Sequence, residues 1–571
     1  MRGTSVLADA ALLGSLEPRL RDELVTIAAS IRLRAQEWLF LEGDVGDRLY
    51  VVLSGRLRVL VEDDDRQRVL RLLGPGAAIG ELAVLTGTVR SASVQAVRDS
   101  ELLEIDGAQF RELLQRNPEL GLAVATGLAR QLQQSGGLEE VNASPSVIAV
   151  TAPPGFEVDP FLRHLYSGFR DLGSAVVFEP GDVDGLGFGH WGSRLAELEH
   201  GHDFVLLVAP GGAPGWQEFC LRQADRVLVL ASGPPPNRED APPQECDVVF
   251  LAPPEPGTVR AWSAAVRPRA HHVVPSETDL PDAARRIARR LAGRSLGLVL
   301  SGGGARAFAH VGVLEVLEDE RVPIDRVGGT SMGAFIAAMV ALGWSAERIR
   351  ATCDAEIARR SPFSDYTLPR HSLIRARRAE SMLRRLFGDA TLEELPLPLF
   401  TVSADLLSGQ LVVHRSGPLV EAVGASMAIP GLAPPVSFEA QLLVDGGVLN
   451  NLPIDVMAAD EPGPIVAVDV MRRVAPEDLA GGTRAALPTI LETLARATVL
   501  GSVQRAEANR DLASIVITPE IQELSLRDFR HAAAAMEAGR RAAEAAVAGD
   551  EFEDVLAGPR RAVRVVAATP S

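Results

Sequence analysis

Leu296-Gly-Leu-Val-Leu-Ser301-Gly-Gly-Gly-Ala-Arg306 passes from an apolar strand pattern directly into three glycines. Leu296 to Leu300 is short and uniformly apolar, which reads as a strand buried in a parallel sheet. The glycines that follow let successive backbone N–H groups converge where a helix resumes near Phe308, an arrangement that collects negative charge. Such a turn suits a dinucleotide phosphate as well as an oxyanion. The stretch therefore decides the fold of this block, an α/β sheet with a functional loop at its strand ends, before it decides the chemistry.

Two further motifs narrow it. Val327 to Gly333, containing Gly329-Thr-Ser-Met-Gly333, fits strand, turn and helix, with Ser331 at the turn and the apolar run Ala334 to Leu342 as a buried helix. Small residues around the serine permit the sharp elbow that exposes a nucleophilic Oγ. Downstream lies Val444-Asp-Gly-Gly447. A histidine base following the acid would have to be His531, in an Ala-rich helical stretch. A lysine base is excluded, because all 57 basic residues are arginine. That also removes Schiff-base chemistry and the usual phosphate-loop lysine. A carboxylate acting directly on the serine is left, and Asp445 is the candidate.

These residues, with Ala425-Ser-Met-Ala-Ile-Pro430, resemble the patatin-like phospholipase family over about Leu296 to Arg473. The resemblance implies an α/β/α domain, a Ser331–Asp445 catalytic dyad and an oxyanion hole formed by Gly302, Gly303, Gly304 and Arg306, with the Gly303 and Gly304 amides as donors. It implies two-step hydrolysis of an acyl ester without metal or cofactor. The family's loop usually has glycine after the arginine. Ala307 departs from that and is expected to narrow the approach to the loop.

Working outward, the pattern changes twice, giving three expected domains at residues 10–135, 146–293 and 294–557. The first alternates short strand patterns (Leu49 to Leu53, Leu57 to Val61, Ser93 to Val97) with Gly-centred turns, between helices expected over Pro18 to Ser30 and Gln109 to Gln134. Gly80-Glu-Leu-Ala83 and Arg90-Ser-Ala92 fall in order within it. A short helix after Gly80 can offer the amides around Leu82 and Ala83 to a cyclic phosphate, Glu81 can accept a ribose hydroxyl, and Arg90 can pair with the phosphate. The block resembles the cyclic nucleotide-binding domain, which implies an α+β fold built on a β-barrel. Ser91, beside Ala92, leaves cAMP favoured over cGMP as ligand. A nucleotide-binding block fused to a patatin block is similar to the neuropathy target esterase family of lysophospholipases. That resemblance implies a lysophospholipid or phospholipid substrate under cyclic nucleotide control.

A polar linker, Ser135 to Pro145, leads to the middle block. There Val147 to Val150, Ala175 to Phe178, Phe204 to Val208, Val227 to Leu230 and Val248 to Leu251 read as buried parallel strands. The block resembles P-loop ATPases of the chromosome-partitioning type. Thr151-Ala-Pro-Pro-Gly155 stands where the phosphate loop belongs, so a degenerate, non-hydrolysing α/β domain is expected. A Pro-rich loop, Ser232 to Pro243, interrupts it. His200 and His202 lack the carboxylate or thiol support of a metal site.

The net charge of −18 argues against nucleic acid as a partner. Three scattered cysteines fit a reducing compartment. No apolar run reaches the ~18 residues of a spanning helix, so a cytoplasmic protein, at most peripheral to membrane, is expected. Two arginine-rich stretches, Ala283 to Arg294 and Arg370 to Phe387, are expected as helices whose charges pair with the chain's carboxylates, the other reading being basic amphipathic helices that lie on anionic lipid. Two other readings fit the same residues: a nucleotide-sensing scaffold that no longer turns over, and a transacylase or triacylglycerol lipase using the same dyad.

Overall fold

Alternation at the end of one strand shows how the catalytic half is built. In the computed structural model, Leu298 and Leu300 enter one apolar core while Val299 enters a second. Successive strand residues point to opposite faces, so both faces of this sheet are covered. The structure describes residues 18–557 except 64–65, 119, 122–146, 184–187, 237–245, 369, 439, 472–499, 503, 522–523, 525 and 527–528. The expected linker Ser135 to Pro145, the C-terminal stretch Gly558 to Ser571, the far part of the Gln109 to Gln134 helix and part of the Pro-rich loop lie outside the described residues.

The chain forms two compact units, residues 1–249 with 262–270, and residues 250–261 with 271–571. The first unit begins with α1 (Pro18–Ile27), β1 (Ala29–Leu33), β2 (Trp38–Phe40), β3 (Arg48–Asp63), β4 (Arg66–Leu73) and β5 (Ala78–Ile79). The short α2 (Glu81–Thr86), β6 (Ser93–Asp106) and α3 (Gly107–Arg116) follow. The expected helix over Pro18 to Ser30 stops at Ile27, because Ala29 to Leu33 pairs with β6. Leu49 to Leu53 and Leu57 to Val61 are one strand, β3, whose register against β6 slips repeatedly between Val52 and Leu57. Bulges of this kind bend a strand without ending it.

The parallel part of the same unit comprises β7 (Val147–Ala152), α4 (Asp159–Arg170), β8 (Ala175–Phe178), α5 (Phe188–Gly201), β9 (Phe204–Pro210), α6 (Pro214–Gln223), β10 (Arg226–Leu230) and β11 (Cys246–Phe250). These five strands lie in the order β11-β10-β7-β9-β8, all parallel. The β3–β6 bulge is fixed to this sheet by charge. Arg56 and Arg98 are register partners, a like-charged pair that is unfavourable alone. Asp225 lies between them, 3.3 Å from Arg56 Nη1 and 3.2 Å from Arg98 Nε. Its Oδ2 also accepts from the Val147 N–H, and Arg98 reaches Glu199 at 2.5 Å.

A short strand, β12 (Ala270–Val273), and α7 (Leu280–Leu291) lead on to the second unit. Its sheet contains β13 (Gly297–Leu300), β14 (Arg326–Thr330), β15 (Leu399–Asp405), β16 (Leu411–His414), β17 (Val436–Phe438), β18 (Gln441–Asp445), β19 (Ile465–Val468) and β20 (Ile515–Ile517). The order is β17-β18-β15-β14-β13-β19-β20, with β16 on β15. Around it are α8 (Ala309–Asp319), α9 (Met332–Ala341), α10 (Arg377–Phe387), α11 (Leu419–Ser426) and α12 (Ala532–Val547). β14, β13 and β19 are parallel neighbours, so their C-terminal ends open on one edge, where α/β folds place their sites. The expected helix over Arg370 to Phe387 forms only from Arg377. Residues 370 to 376 belong to a hairpin tied to the 431–432 segment.

Candidate active site

β13 and β14 run in register with Leu300 opposite Gly329, so the glycine loop and the serine elbow emerge side by side. The elbow needs its flanking glycines. A Cβ on Gly329 would sit 2.8 Å from Leu300 O, and one on Gly333 2.4 Å from the same oxygen. Ser331 has φ 56° and ψ −125°, a conformation costing a non-glycine residue roughly 1–3 kcal/mol. Two hydrogen bonds hold it there: its N–H donates to Ser426 Oγ at 2.9 Å, and its carbonyl accepts from the Phe335 N–H at 3.1 Å.

Asp445 arrives from the antiparallel side. β18 pairs with β15 so that Asp445 lies opposite Ser403, and Val402 is the partner of Thr330 on β14. The chain thus delivers the carboxylate across one strand, and Ser331 Oγ donates to Asp445 Oδ2 at 2.6 Å. The second carboxylate oxygen accepts from the Gly447 N–H at 2.8 Å. Both residues are buried. Burial pushes the Asp445 carboxyl up to about 6, against the opposing effects of its bonds to Ser331 and Gly447. It remains ionised at neutral pH but is a stronger base than an exposed aspartate.

The glycine loop divides into parts with different tasks. The Gly302 N–H donates to Asn451 O at 3.1 Å, and Asn451 Nδ2 returns a bond to Gly302 O. The Arg306 N–H donates to Gly303 O, and its guanidinium Nε donates to Leu524 O at 2.7 Å. Gly302 and Arg306 therefore brace the loop, their N–H groups already given to Asn451 O and Gly303 O. Neither the Gly303 nor the Gly304 N–H donates to another described residue, and both residues face the cavity that holds Ser331 and Asp445. Gly304 has φ 53°, and a Cβ there would lie 2.2 Å from Leu526 O. Ala307 does not narrow the approach. It is fully buried in the helix-side core and does not line the cavity.

Beneath the loop, His310 Nε2 donates to Ser301 O at 2.9 Å. Burial pushes its pKa down to about 4, so the imidazole is neutral and keeps one N–H to give. His310, Asn451 and Ser426 carried no role in the sequence reading. Ser426 lay in plain view in Ala425-Ser-Met-Ala-Ile-Pro430, while His310 and Asn451 gave no signal beyond a polar residue in an apolar setting.

The cavity has a volume of about 570 Å³, within the range of small-molecule sites. Apolar side chains dominate its walls, among them Leu383, Val420, Met427, Ile429, Leu432 and Phe529. It can hold an acyl chain beside the Ser331–Asp445 pair.

In the first unit, Gly80 and Glu81 open α2, Glu81 and Ala83 are buried, and Leu82 is exposed. Arg90 is buried and donates to Arg48 O at 2.8 Å and Gly80 O at 3.3 Å. Its guanidinium lies 4.2 Å from the Phe40 ring centroid and makes no ion pair among the described residues. Desolvation lowers its pKa. Ser91 is exposed and Ala92 half-buried beside it. Arg90 is thus a buried cation held beside Gly80, the residue that opens α2. Among the described residues no group of carboxylates, cysteines and histidines could hold a metal ion.

Two family profiles match the chain: patatin-like phospholipase over residues 298–458 and cyclic nucleotide-binding domain over residues 30–117. An uncharacterized NTE family protein of Mycobacterium bovis is 35% identical, over 96% of this chain and 97% of its own length. Patatin-like phospholipase domain-containing protein 7 of Mus musculus is 28% identical, over 78% of this chain and 38% of its own length. Among solved structures, the regulatory domain of Toxoplasma gondii PKA with cAMP is 31% identical. It covers 20% of this chain and 43% of its own, with a TM-score of 0.19.

Proposed function

The chain belongs to the NTE family, and from that premise we propose that it is a serine esterase hydrolysing acyl esters of lysophospholipids or phospholipids through a Ser331–Asp445 dyad. The observation carrying this reading is the 2.6 Å bond from Ser331 Oγ to a buried carboxylate at the wall of an apolar cavity. In the first step Asp445 takes the Ser331 proton as Oγ attacks the acyl carbonyl. The Gly303 and Gly304 amides receive the oxyanion, and the proton passes from Asp445 to the departing alcohol. Water then gives its proton to Asp445 and its oxygen to the acyl carbon. The fatty acid leaves and the proton returns to Ser331 Oγ.

The N-terminal sheet is read as a rolled barrel that binds a cyclic nucleotide, with cAMP favoured. Arg90 meets the phosphate, Glu81 the ribose hydroxyl, the amides at Leu82 and Ala83 the phosphate oxygens, and Ser91 and Ala92 line the rest. The middle sheet, with Thr151-Ala-Pro-Pro-Gly155 at the end of β7 and no phosphate-loop lysine, is read as a degenerate P-loop-like domain. The domain bounds 10–135, 146–293 and 294–557 belong to the same reading. Among the described residues no helix is long and apolar enough to cross a membrane, in keeping with a cytoplasmic protein that meets lipid peripherally. Fatty-acid release from lysophosphatidylcholine by wild type and Ser331→Ala, with and without cAMP, tests both halves. Turnover by Ser331→Ala would remove the catalytic half, and equal wild-type rates at saturating cAMP would remove the regulatory half.

A further inference from the structure

Leu368, 88% exposed, is the most exposed large apolar side chain among the described residues. It lies in a hairpin whose two arms are paired. Tyr366 and Ile374 form an antiparallel bridge, the Thr367 N–H donates to Leu373 O, and the Arg370 N–H donates to Leu368 O. The hairpin is anchored where the Ile374 N–H donates to Leu432 O at 2.9 Å. Tyr366, Ile374 and Arg375 line the cavity, so the base of the hairpin forms part of its wall. A large apolar residue held out into solvent beside paired backbone is where a partner is expected.

Charge identifies that partner. From Tyr366 to Ala379 the chain carries Arg370, Arg375, Arg377 and Arg378 and not one carboxylate, in a protein of net charge −18. The arginines farther along α10 are consumed internally: Arg384 by Glu380 and Glu421, Arg385 by Glu356. Arg370, Arg375 and Arg377 are exposed and make no ion pair among the described residues, while Arg378 bonds Ser364 Oγ. Asp365 is the one carboxylate bonded at the hairpin's base, its Oδ2 accepting from the Arg378 N–H at 3.3 Å among the described residues, and over a Debye length of about 8 Å four arginines outweigh it.

We propose that this hairpin, together with the first turn of α10, docks on an anionic phospholipid surface. Leu368 enters the headgroup–acyl boundary, and Arg370, Arg375, Arg377 and Arg378 lie on lipid phosphates. Docking there sets the cavity mouth at the surface from which a lipid ester must enter. This rests on reading the cavity as the lipid-ester site. Each arginine near such a surface contributes roughly fivefold in partitioning.

The test sediments the full chain with vesicles of phosphatidylcholine alone and of phosphatidylcholine with phosphatidylserine at about three to one, the charge that this polybasic segment requires. Wild type and Ser331→Ala should sediment alike with the anionic vesicles, which separates docking from catalysis. Leu368→Glu and the double variant Arg370→Glu, Arg377→Glu should each lose binding by more than about tenfold while hydrolysing the soluble ester p-nitrophenyl butyrate at the wild-type rate. Unchanged sedimentation of either variant overturns the proposal, as does equal binding to neutral vesicles. Lipid-free self-association that Leu368→Glu abolishes would assign the hairpin to a second copy and also overturn it.

Discussion

Replacing Asp445 by asparagine should abolish turnover and at the same time make the folded protein more stable. Burial raises the carboxyl from an ordinary 3.8 to about 6 in the folded chain. At about 1.4 kcal/mol per unit, carrying this group ionised costs about 3 kcal/mol at pH 8. The sign follows from proton binding. Between pH 3.8 and about 6 the folded state holds a proton that the unfolded state has released. The contribution of Asp445 is therefore fully present below pH 3.8 and is lost as pH rises through 6. Asparagine is neutral throughout. Its Oδ1 can keep the Gly447 N–H, and its amide can donate to Ser331 Oγ, so no buried group is orphaned. Calorimetric melting should show the variant's second unit more stable than wild type by up to about 3 kcal/mol at pH 8, with the gap closing near pH 4. Hydrolysis of a soluble ester should fall by about 10² or more with loss of the base, and the wild-type rate should fall on the acid side near pH 6. A variant that is less stable at pH 8, or a wild-type rate flat from pH 5 to 8, refutes the reasoning.

Gly304→Ala places a Cβ 2.2 Å from Leu526 O in a left-handed conformation, so the oxyanion loop must move. We expect kcat on a soluble ester to drop by about 10², whereas an unchanged kcat would take Gly304 out of the oxyanion hole. Arg90→Ala should eliminate the calorimetric heat of cAMP binding that wild type gives, and equal heats from the two proteins would remove Arg90 from the nucleotide site. Asp225→Ala removes the carboxylate shared by Arg56 and Arg98, two buried register partners of like charge, and leaves Glu199 as the acid bonded to Arg98. Denaturation of the first unit should show a loss of about 3–5 kcal/mol, and a loss below ~1 kcal/mol would mean that water already solvates the pair.

The parts of the site visible in sequence were those where backbone geometry permits few residues. Gly329 and Gly333 must be glycine because Leu300 O lies against both, and Gly304 because of its positive φ, so these positions leave a pattern that can be read. Ser331 and Asp445 were legible through the same short motifs. What could not be read was settled by contacts between distant residues. Gly302 and Arg306 belong to the motif yet spend their hydrogen bonds on Asn451 and Leu524. Ala307 looked like an obstruction only because the direction of its methyl, into the core, is a tertiary fact. The β pattern of the first unit was read as two strands where β3 is one, since bulges at Ser54 to Leu57 imitate a turn around Gly55. The arginines of the Arg370 to Phe387 stretch looked equivalent. Their partners divide them: Arg384 and Arg385 are paired with carboxylates, while Arg370, Arg375 and Arg377 make no ion pair among the described residues.

Peptide mass spectrometry after treatment with a fluorophosphonate tests the central claim most directly, because the reagent bonds only to a serine activated as nucleophile. The account predicts a single adduct on the peptide containing Ser331 in wild type. It predicts strongly reduced labelling in Asp445→Asn, although that variant is folded and more stable. No adduct on wild-type Ser331, or labelling of Asp445→Asn at the wild-type rate, would contradict a serine activated by Asp445.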